Sequence, residues 1–206
     1  MKLYGCPFSV YVRTVRLCLE EKGLDYELVP VDPFDPAGLP DWYGDLHPFG
    51  KIPAFEDGDV RLYESDAIQR YLEARYPEPP LLPTEPGALA RAVQAMRIMD
   101  SYAYPAMVWT IFVSEARDVE TGWMPRDKAL DVSRKVLAEL ERWLGDGPYL
   151  AGAALTLADT HFLPALDLFC LTAVGREMMD AHPRVRDWCE RLRARPSAIA
   201  TTFHPS

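Results

Sequence analysis

The chain has 206 residues, 49% of them apolar and 26% charged, with 22 basic side chains against 31 acidic ones and a net charge of −9. A chain of this length can bury about 70% of its unfolded surface. Its acidity disfavours a nucleic-acid binder that works by neutralising phosphate. No apolar run approaches the ~20 residues of a membrane span, and the first residues lack the apolar stretch of a signal peptide. Cys6, Cys18, Cys170 and Cys189 form no CxxC pair and no zinc spacing. A cytoplasmic, metal-free protein with no nucleic-acid or membrane partner is the expectation.

Lys2–Gly5 is expected as a strand. Phe8, Val12, Val15 and Leu19 then form an apolar stripe at helical spacing that ends at Gly23, where a helix C-terminus favours glycine. Tyr26–Val31 alternates as a second strand. Ile52–Glu56 and Val60–Tyr63 flank Asp57-Gly58-Asp59 and predict a hairpin. Ala67, Ile68, Tyr71 and Leu72 carry the chain into a second helix. The order β-α-β, a loop-rich stretch, then β-β-α describes a small α/β domain over residues 1–76.

Residues 77–87 hold five prolines, which remove donors and fix φ, so this stretch predicts a linker. Beyond it, over 88–206, only helical stripes follow. Leu89, Ala92, Met96, Ala103 and Met107 make the first, Val132, Val136, Leu140 and Trp143 the next. Thr156-Leu-Ala-Asp159 opens another helix with a capping-box pattern, and Pro164 is expected to kink that helix or sit in its first turns. Val185, Trp188, Cys189 and Leu192 make the last stripe. An α/β domain followed by an all-helical domain is the expected architecture.

Three stretches can carry chemistry. In Tyr4-Gly5-Cys6-Pro7-Phe8-Ser9-Val10 a strand turns into a helix, whose N-terminus offers unpaired N–H groups and positive partial charge to an anion. Cys6 can serve there as a low-pKa nucleophile, or Ser9 can donate its O–H to the thiolate of a ligand. A buried structural cysteine and a capping serine fit the same residues. In Phe49-Gly50-Lys51-Ile52-Pro53-Ala54-Phe55, a cis bond before Pro53 would aim the main chain of Ile52 at an extended, peptide-like ligand; strand-edge punctuation is the plainer account. Glu64-Ser65 stands at a helix start, where it can cap the helix or hold a ligand bearing both an ammonium and a carboxylate. His47, His161, His182 and His204 show no ligand spacing and receive no role.

Taken together, the Cys6-to-Ser9 turn, Lys51-Ile52-Pro53, Glu64-Ser65 at a helix start, the proline-rich linker and the Thr156-x-x-Asp159 box resemble the cytosolic glutathione transferase superfamily. The run from Cys6 to Ser9 through Val15 to Glu20-Glu21-Lys22-Gly23-Leu24-Asp25-Tyr26-Glu27, and the stretch from His47 to Ser65, look most like its phi class and bacterial relatives. The resemblance implies a thioredoxin-like first domain and a helical second one. It implies an enzyme that ionises the glutathione thiol and transfers the sulfur to a small apolar electrophile. By that resemblance Ser9, fourteen positions before Gly23, is the catalytic serine. Ile52 and Pro53 would hold the cysteinyl part, Glu64 and Ser65 the γ-glutamyl end, and Lys51 would approach from the side. No basic residue in Ala37-Gly38-Leu39-Pro40 is available for the glycyl carboxylate. The electrophile would meet Phe8 and Val10 of the first domain and Met99, Tyr102, Trp109 and Phe112 of the second, positions that core packing also explains. Glutathione as co-substrate, no permanently bound cofactor and a homodimer complete the expectation. Two other readings stand beside it: a thiol-disulfide oxidoreductase using Cys6, and a non-catalytic relative of the same fold.

Overall fold

The computed structural model describes residues 1–119 and 121–203; His204 lies outside them. Met1–Leu81 and the stretch from Arg195 onward form one unit, and Leu82–Ala194 forms a second.

In the first unit, β1 (Lys2–Gly5) leads into α1 (Val10–Glu21) and β2 (Glu27–Pro30). A 3₁₀ turn (Asp41–Asp45) follows, then β3 (Ala54–Asp57), β4 (Val60–Tyr63) and α2 (Ser65–Arg75). The strands form one sheet in the order β2-β1-β3-β4, with β1 and β2 parallel and β3 antiparallel to both β1 and β4. The stripe on α1 explains its packing: Val12, Val15 and Leu19 are fully buried, as are Leu3 and Phe55 of the sheet and Ile68 and Leu72 of α2. Alternation along the strands sends Tyr4 and Ala54 to the opposite face, where Val31 and Tyr43 close a second apolar cluster. α1 begins at Val10, so Phe8 lies ahead of the helix rather than on its stripe. β3 begins only after Pro53, two residues later than the alternation suggests.

The proline-rich stretch is pinned rather than free. Lys22, its side chain fully buried, pairs with Glu73 at 2.7 Å and donates to the carbonyls of Tyr76 and Pro79 at 2.8 and 2.9 Å. The Glu73 carboxylate also accepts the N–H of Leu81 at 2.9 Å. These bonds hold the chain to the first unit up to Leu81, five residues past the expected end of the first domain.

The second unit starts with α3 (Pro86–Ile98), capped by Glu85, whose carboxylate accepts the N–H groups of Gly87 and Ala88. The helix then continues as a π-helical segment, Met99–Val113, which the α-helical stripe did not foretell. Pro105 inside it has no N–H to donate to the preceding turn. The turns widen, and Thr110 donates its hydroxyl to the Pro105 carbonyl, five residues back, at 2.9 Å. α4 (Ser114–Arg117), α5 (Arg126–Leu144), α6 (Leu157–Phe169), α7 (Ala173–Asp180) and α8 (Pro183–Arg193) complete the unit.

The capping box at the head of α6 is present and goes further than a cap. Pro164 lies in the interior of the same helix. Asp159 is fully buried and accepts from the Thr156 N–H and hydroxyl, each at 2.8 Å, from the Leu150 N–H at 2.9 Å and from the Trp188 indole at 3.0 Å. Burial pushes its carboxyl up, and the surrounding donors pull it back. One side chain thus joins α6, α8 and the loop between α5 and α6. His161, also fully buried, bonds to Asp100 at 2.9 Å, and Arg97 holds the other oxygen of that carboxylate at 2.7 Å.

The chain then returns to the first unit through α9 (Pro196–Thr201), which packs on α1. The expectation placed everything after residue 87 in the helical domain, whereas the chain from Arg195 groups with the first unit. The cause is a clasp: Arg195 grips Glu21 through two bonds of 2.6 Å, and Ser197 donates to the same carboxylate. Arg16 donates to the carbonyls of Ala200 and Thr201 at 3.0 and 3.4 Å. Burial alone would raise the Glu21 pKa, but Arg195 and Ser197 draw it below the ordinary value. A depressed carboxyl adds stability that is complete above its unfolded pKa, near 4.3, and is lost as the pH falls through the folded one. α9 is therefore expected to loosen from α1 below about pH 4. Hydrogen exchange over residues 196–201 between about pH 6 and 3 checks this, and Glu21→Gln should flatten the pH dependence.

Candidate active site

Three segments meet at one end of the sheet. Tyr4 of β1 pairs with Ala54 of β3, and Ala54 pairs with Tyr63 of β4. The residues just past that row are the β1–α1 turn, Ile52-Pro53 and Glu64-Ser65. The register therefore brings together all three stretches singled out in the sequence.

The β1–α1 turn depends on Gly5. Its φ is +153°, and a Cβ there would lie 2.4 Å from a methyl carbon of Val12 and 3.4 Å from Cβ of Ile52. The absence of a side chain lets the chain fold back so that the Cys6 carbonyl accepts the Ser9 N–H at 3.1 Å. Ser9, half-buried and extended (φ −71°, ψ 128°), is the N-cap of α1, and its Oγ accepts the Val12 N–H at 3.3 Å. A hydroxyl carries one donor and two acceptor positions. Capping uses an acceptor and leaves the O–H available to a ligand. The capping role and the donor role of Ser9 are thus compatible.

Cys6 is different. Its side chain is 5% exposed, and burial, with the Asp32 carboxylate nearby, pushes the thiol up to about 12. The Ser9 N–H at the helix head draws it back only in part, which disfavours a low-pKa nucleophile at this position.

The second segment is held from behind. Tyr43, fully buried in the 3₁₀ turn, donates its hydroxyl to the Lys51 carbonyl at 2.7 Å. The Ile52-Pro53 bond is cis, as is Glu78-Pro79, which the sequence reading did not foresee. Ile52 packs against the cluster of Tyr4, Val31, Tyr43 and Ala54. Among the described residues its N–H and C=O take part in no hydrogen bond, since β3 starts two residues later. Lys51 is exposed.

Glu64, between β4 and α2, has φ 69° and ψ 114°, a region that non-glycine residues rarely occupy and that recurs at ligand clamps. It makes no capping bond, its side chain is exposed, and Ser65 follows as the first, buried residue of α2. The capping account of this pair therefore does not hold for Glu64. His47 is 2% exposed; its ring lies 4.8 Å from that of Tyr63, and its Nδ1 has no partner among the described residues. Burial lowers the His47 pKa, an effect that the Glu64 carboxylate opposes. Tyr43 carried no signal in the sequence, and His47 only opened the stretch that resembles the phi class, because their contacts arise only in the folded loop.

Of the six residues expected to meet an electrophile, Met99 is fully buried and Phe112 half-buried, and the other four differ in setting. Phe8 is half-buried, with the rings of Phe34 and Phe203 at 6.4 and 6.0 Å. Val10 is buried in the first unit. In the second unit Tyr102 is exposed, whereas Trp109 lies edge-on to Tyr104 and stacks on Trp123 at 5.8 Å.

Comparison with known proteins gives this arrangement its family. Residues 3–80 match the glutathione S-transferase N-terminal domain and residues 103–196 the C-terminal domain. The chain is 34% identical over 208 residues to glutathione S-transferase APIC of Nicotiana tabacum, covering 97% of this chain and 95% of that one. The crystal structure of glutathione transferase F7 from Populus trichocarpa superposes with a TM-score of 0.82 at 31% identity, covering 97% and 96% of the two chains. Maize glutathione S-transferase I, solved in complex with an atrazine glutathione conjugate, does so with a TM-score of 0.82 at 31% identity, covering 97% and 95%. The chain belongs to the glutathione S-transferase family, with its likeness to the plant phi class, and is an enzyme of that family.

Proposed function

We propose that this enzyme conjugates glutathione to a small apolar electrophile and that Ser9 supplies the hydrogen bond that stabilises the thiolate. The alignment of the Ser9 turn, Ile52-Pro53 and Glu64-Ser65 at one end of the sheet supports this reading above all. In it, the main-chain N–H and C=O of Ile52 pair with the cysteinyl residue, and Pro53 sets their direction. Glu64 receives the γ-glutamyl ammonium, and Ser65 with the first N–H groups of α2 receives its carboxylate. Lys51 approaches the tripeptide from its exposed side. Within the first unit, Phe8 and Val10 are assigned to the electrophile.

The energetics are adequate without a general base. Lowering a thiol from about 8.5 by two units requires about 2.7 kcal/mol. A hydrogen bond to a charged group supplies roughly 1.5–3 kcal/mol, and a helix N-terminus adds ~0.3–1 kcal/mol. Proximity in a desolvated pocket then drives attack by the sulfur. The maize relative's bound atrazine conjugate is consistent with such an outcome here. The high thiol pKa of Cys6 speaks against the oxidoreductase reading. We further place the enzyme in the cytoplasm as a homodimer with glutathione as co-substrate; no helix among the described residues is long and apolar enough to cross a membrane.

Retention on immobilised glutathione, with elution by the free tripeptide, tests the binding half. Glu64→Ala should then raise the KM for glutathione about two- to fivefold with the fold intact, because the ammonium loses an exposed partner worth up to ~1 kcal/mol. An unchanged KM would remove Glu64 from the γ-glutamyl site.

A further inference from the structure

The segment that follows α9 reaches the head of α1. Phe203 lies two residues beyond the buried Thr201, and its ring meets that of Phe8 at 6.0 Å and 62°. Phe34, on the loop after β2, meets the same ring from another direction at 6.4 Å and 33°. Phe8 is the residue immediately before Ser9. The three rings do not form a closed core: Phe34 is 47% exposed, and Phe8 and Phe203 are only half-buried.

The placement of Phe203 is set by bonds to α1. Glu21 holds Arg195 and Ser197, and Arg16 holds the carbonyls of Ala200 and Thr201. The helix that Ser9 caps therefore also fixes the strand of chain that carries Phe203. A ring seated on Phe8, the residue before the one assigned to the sulfur, and only half-buried, offers a flat apolar contact to whatever group the sulfur carries.

We propose that Phe203, seated against Phe8 by the α1–α9 clasp, is a specificity-determining residue that selects electrophiles with a planar aromatic ring. The proposal rests on the glutathione site described above and adds the class of group that its sulfur receives. Aromatic pairs favour edge or offset contacts and exceed simple area burial in strength, so a ring next to the sulfur gains what an alkyl group of equal reactivity does not.

The test is calorimetric titration with two thioethers, S-methylglutathione and S-benzylglutathione, which share the tripeptide and differ in the ring. The wild type is expected to bind the benzyl compound about tenfold more tightly, a ratio within reach of one buried ring and its aromatic contacts. Phe203→Ala should reduce that preference to about twofold or less while binding S-methylglutathione as the wild type does, and Phe203→Tyr should retain it. If the wild type shows no preference, or Phe203→Ala keeps it, the assignment of Phe203 is overturned and the tripeptide site stands. Loss of both ligands in Phe203→Ala would make the ring structural and overturns it too. Failure of S-methylglutathione to bind the wild type instead removes the tripeptide site itself.

Discussion

Ser9→Ala should raise the pKa of the bound glutathione thiol by about one to two pH units, because one hydrogen bond to a charged sulfur is worth roughly 1.5–3 kcal/mol. Conjugation near neutral pH should fall about tenfold or more, and the deficit should shrink as the pH rises and the thiol ionises unaided. The same substitution removes the Oγ that accepts the Val12 N–H, so about 1 kcal/mol of stability should go with it. The two losses separate cleanly. A weakened cap lowers the folded fraction at every pH, whereas a missing donor to the thiolate changes the shape of the pH–rate profile. Cys6→Ser should do little, since that thiol is buried and burial disfavours its thiolate. Profiles of both variants from about pH 6 to 9 against an aryl halide decide the matter. Full activity of Ser9→Ala at the acid end would sink the serine assignment.

Asp159→Ala should strongly destabilise the helical unit. The carboxylate collects the Leu150 N–H, the Thr156 N–H and hydroxyl, and the Trp188 indole, all in a buried setting. Removing the acceptor strands these donors away from water at ~1–3 kcal/mol for each that finds no substitute. A loss of about 3 kcal/mol or more is expected, which lowers Tm by roughly 6–12 °C in a chain of this size. Asp159→Asn should recover part of it, because the amide oxygen still accepts. Turnover per folded molecule should stay close to that of the wild type, since the cluster lies wholly inside the second unit. Urea titration with active-site counting checks both statements. Wild-type stability with lost turnover would make Asp159 a catalytic group instead of a structural one.

What could be read along the chain was what neighbouring residues decide. The stripe of Val12, Val15 and Leu19 and the glycine at position 23, found at φ 64°, mark α1 because helix packing and helix termination are local matters. Asp57-Gly58-Asp59 makes its hairpin for the same reason, with Gly58 at φ 59°. Thr156 and Asp159 are three residues apart, so their reciprocal bonds were visible, but the Trp188 indole that completes the cluster was not. The residues expected to hold glutathione were legible only as a combination of three separated stretches. Their meeting at one sheet end follows from the register of β1, β3 and β4, which no single stretch specifies.

The tertiary structure decided the rest, through contacts between residues far apart in the chain. Burial of Cys6 raises its thiol pKa against the pull of the helix head, which disfavours it as a nucleophile. The buried Lys22 ties the proline-rich stretch down through a carboxylate and two carbonyls more than fifty residues away. The strained backbone of Glu64 frees its carboxylate from the capping role that its position suggests. Glu21 and Arg195 stand 174 residues apart, and their ion pair returns α9 to α1 and sets Phe203 beside Phe8. Local patterning determines which segments become helix or strand; pairing energy between distant charges and the burial of particular side chains determine which of their chemical groups remain available.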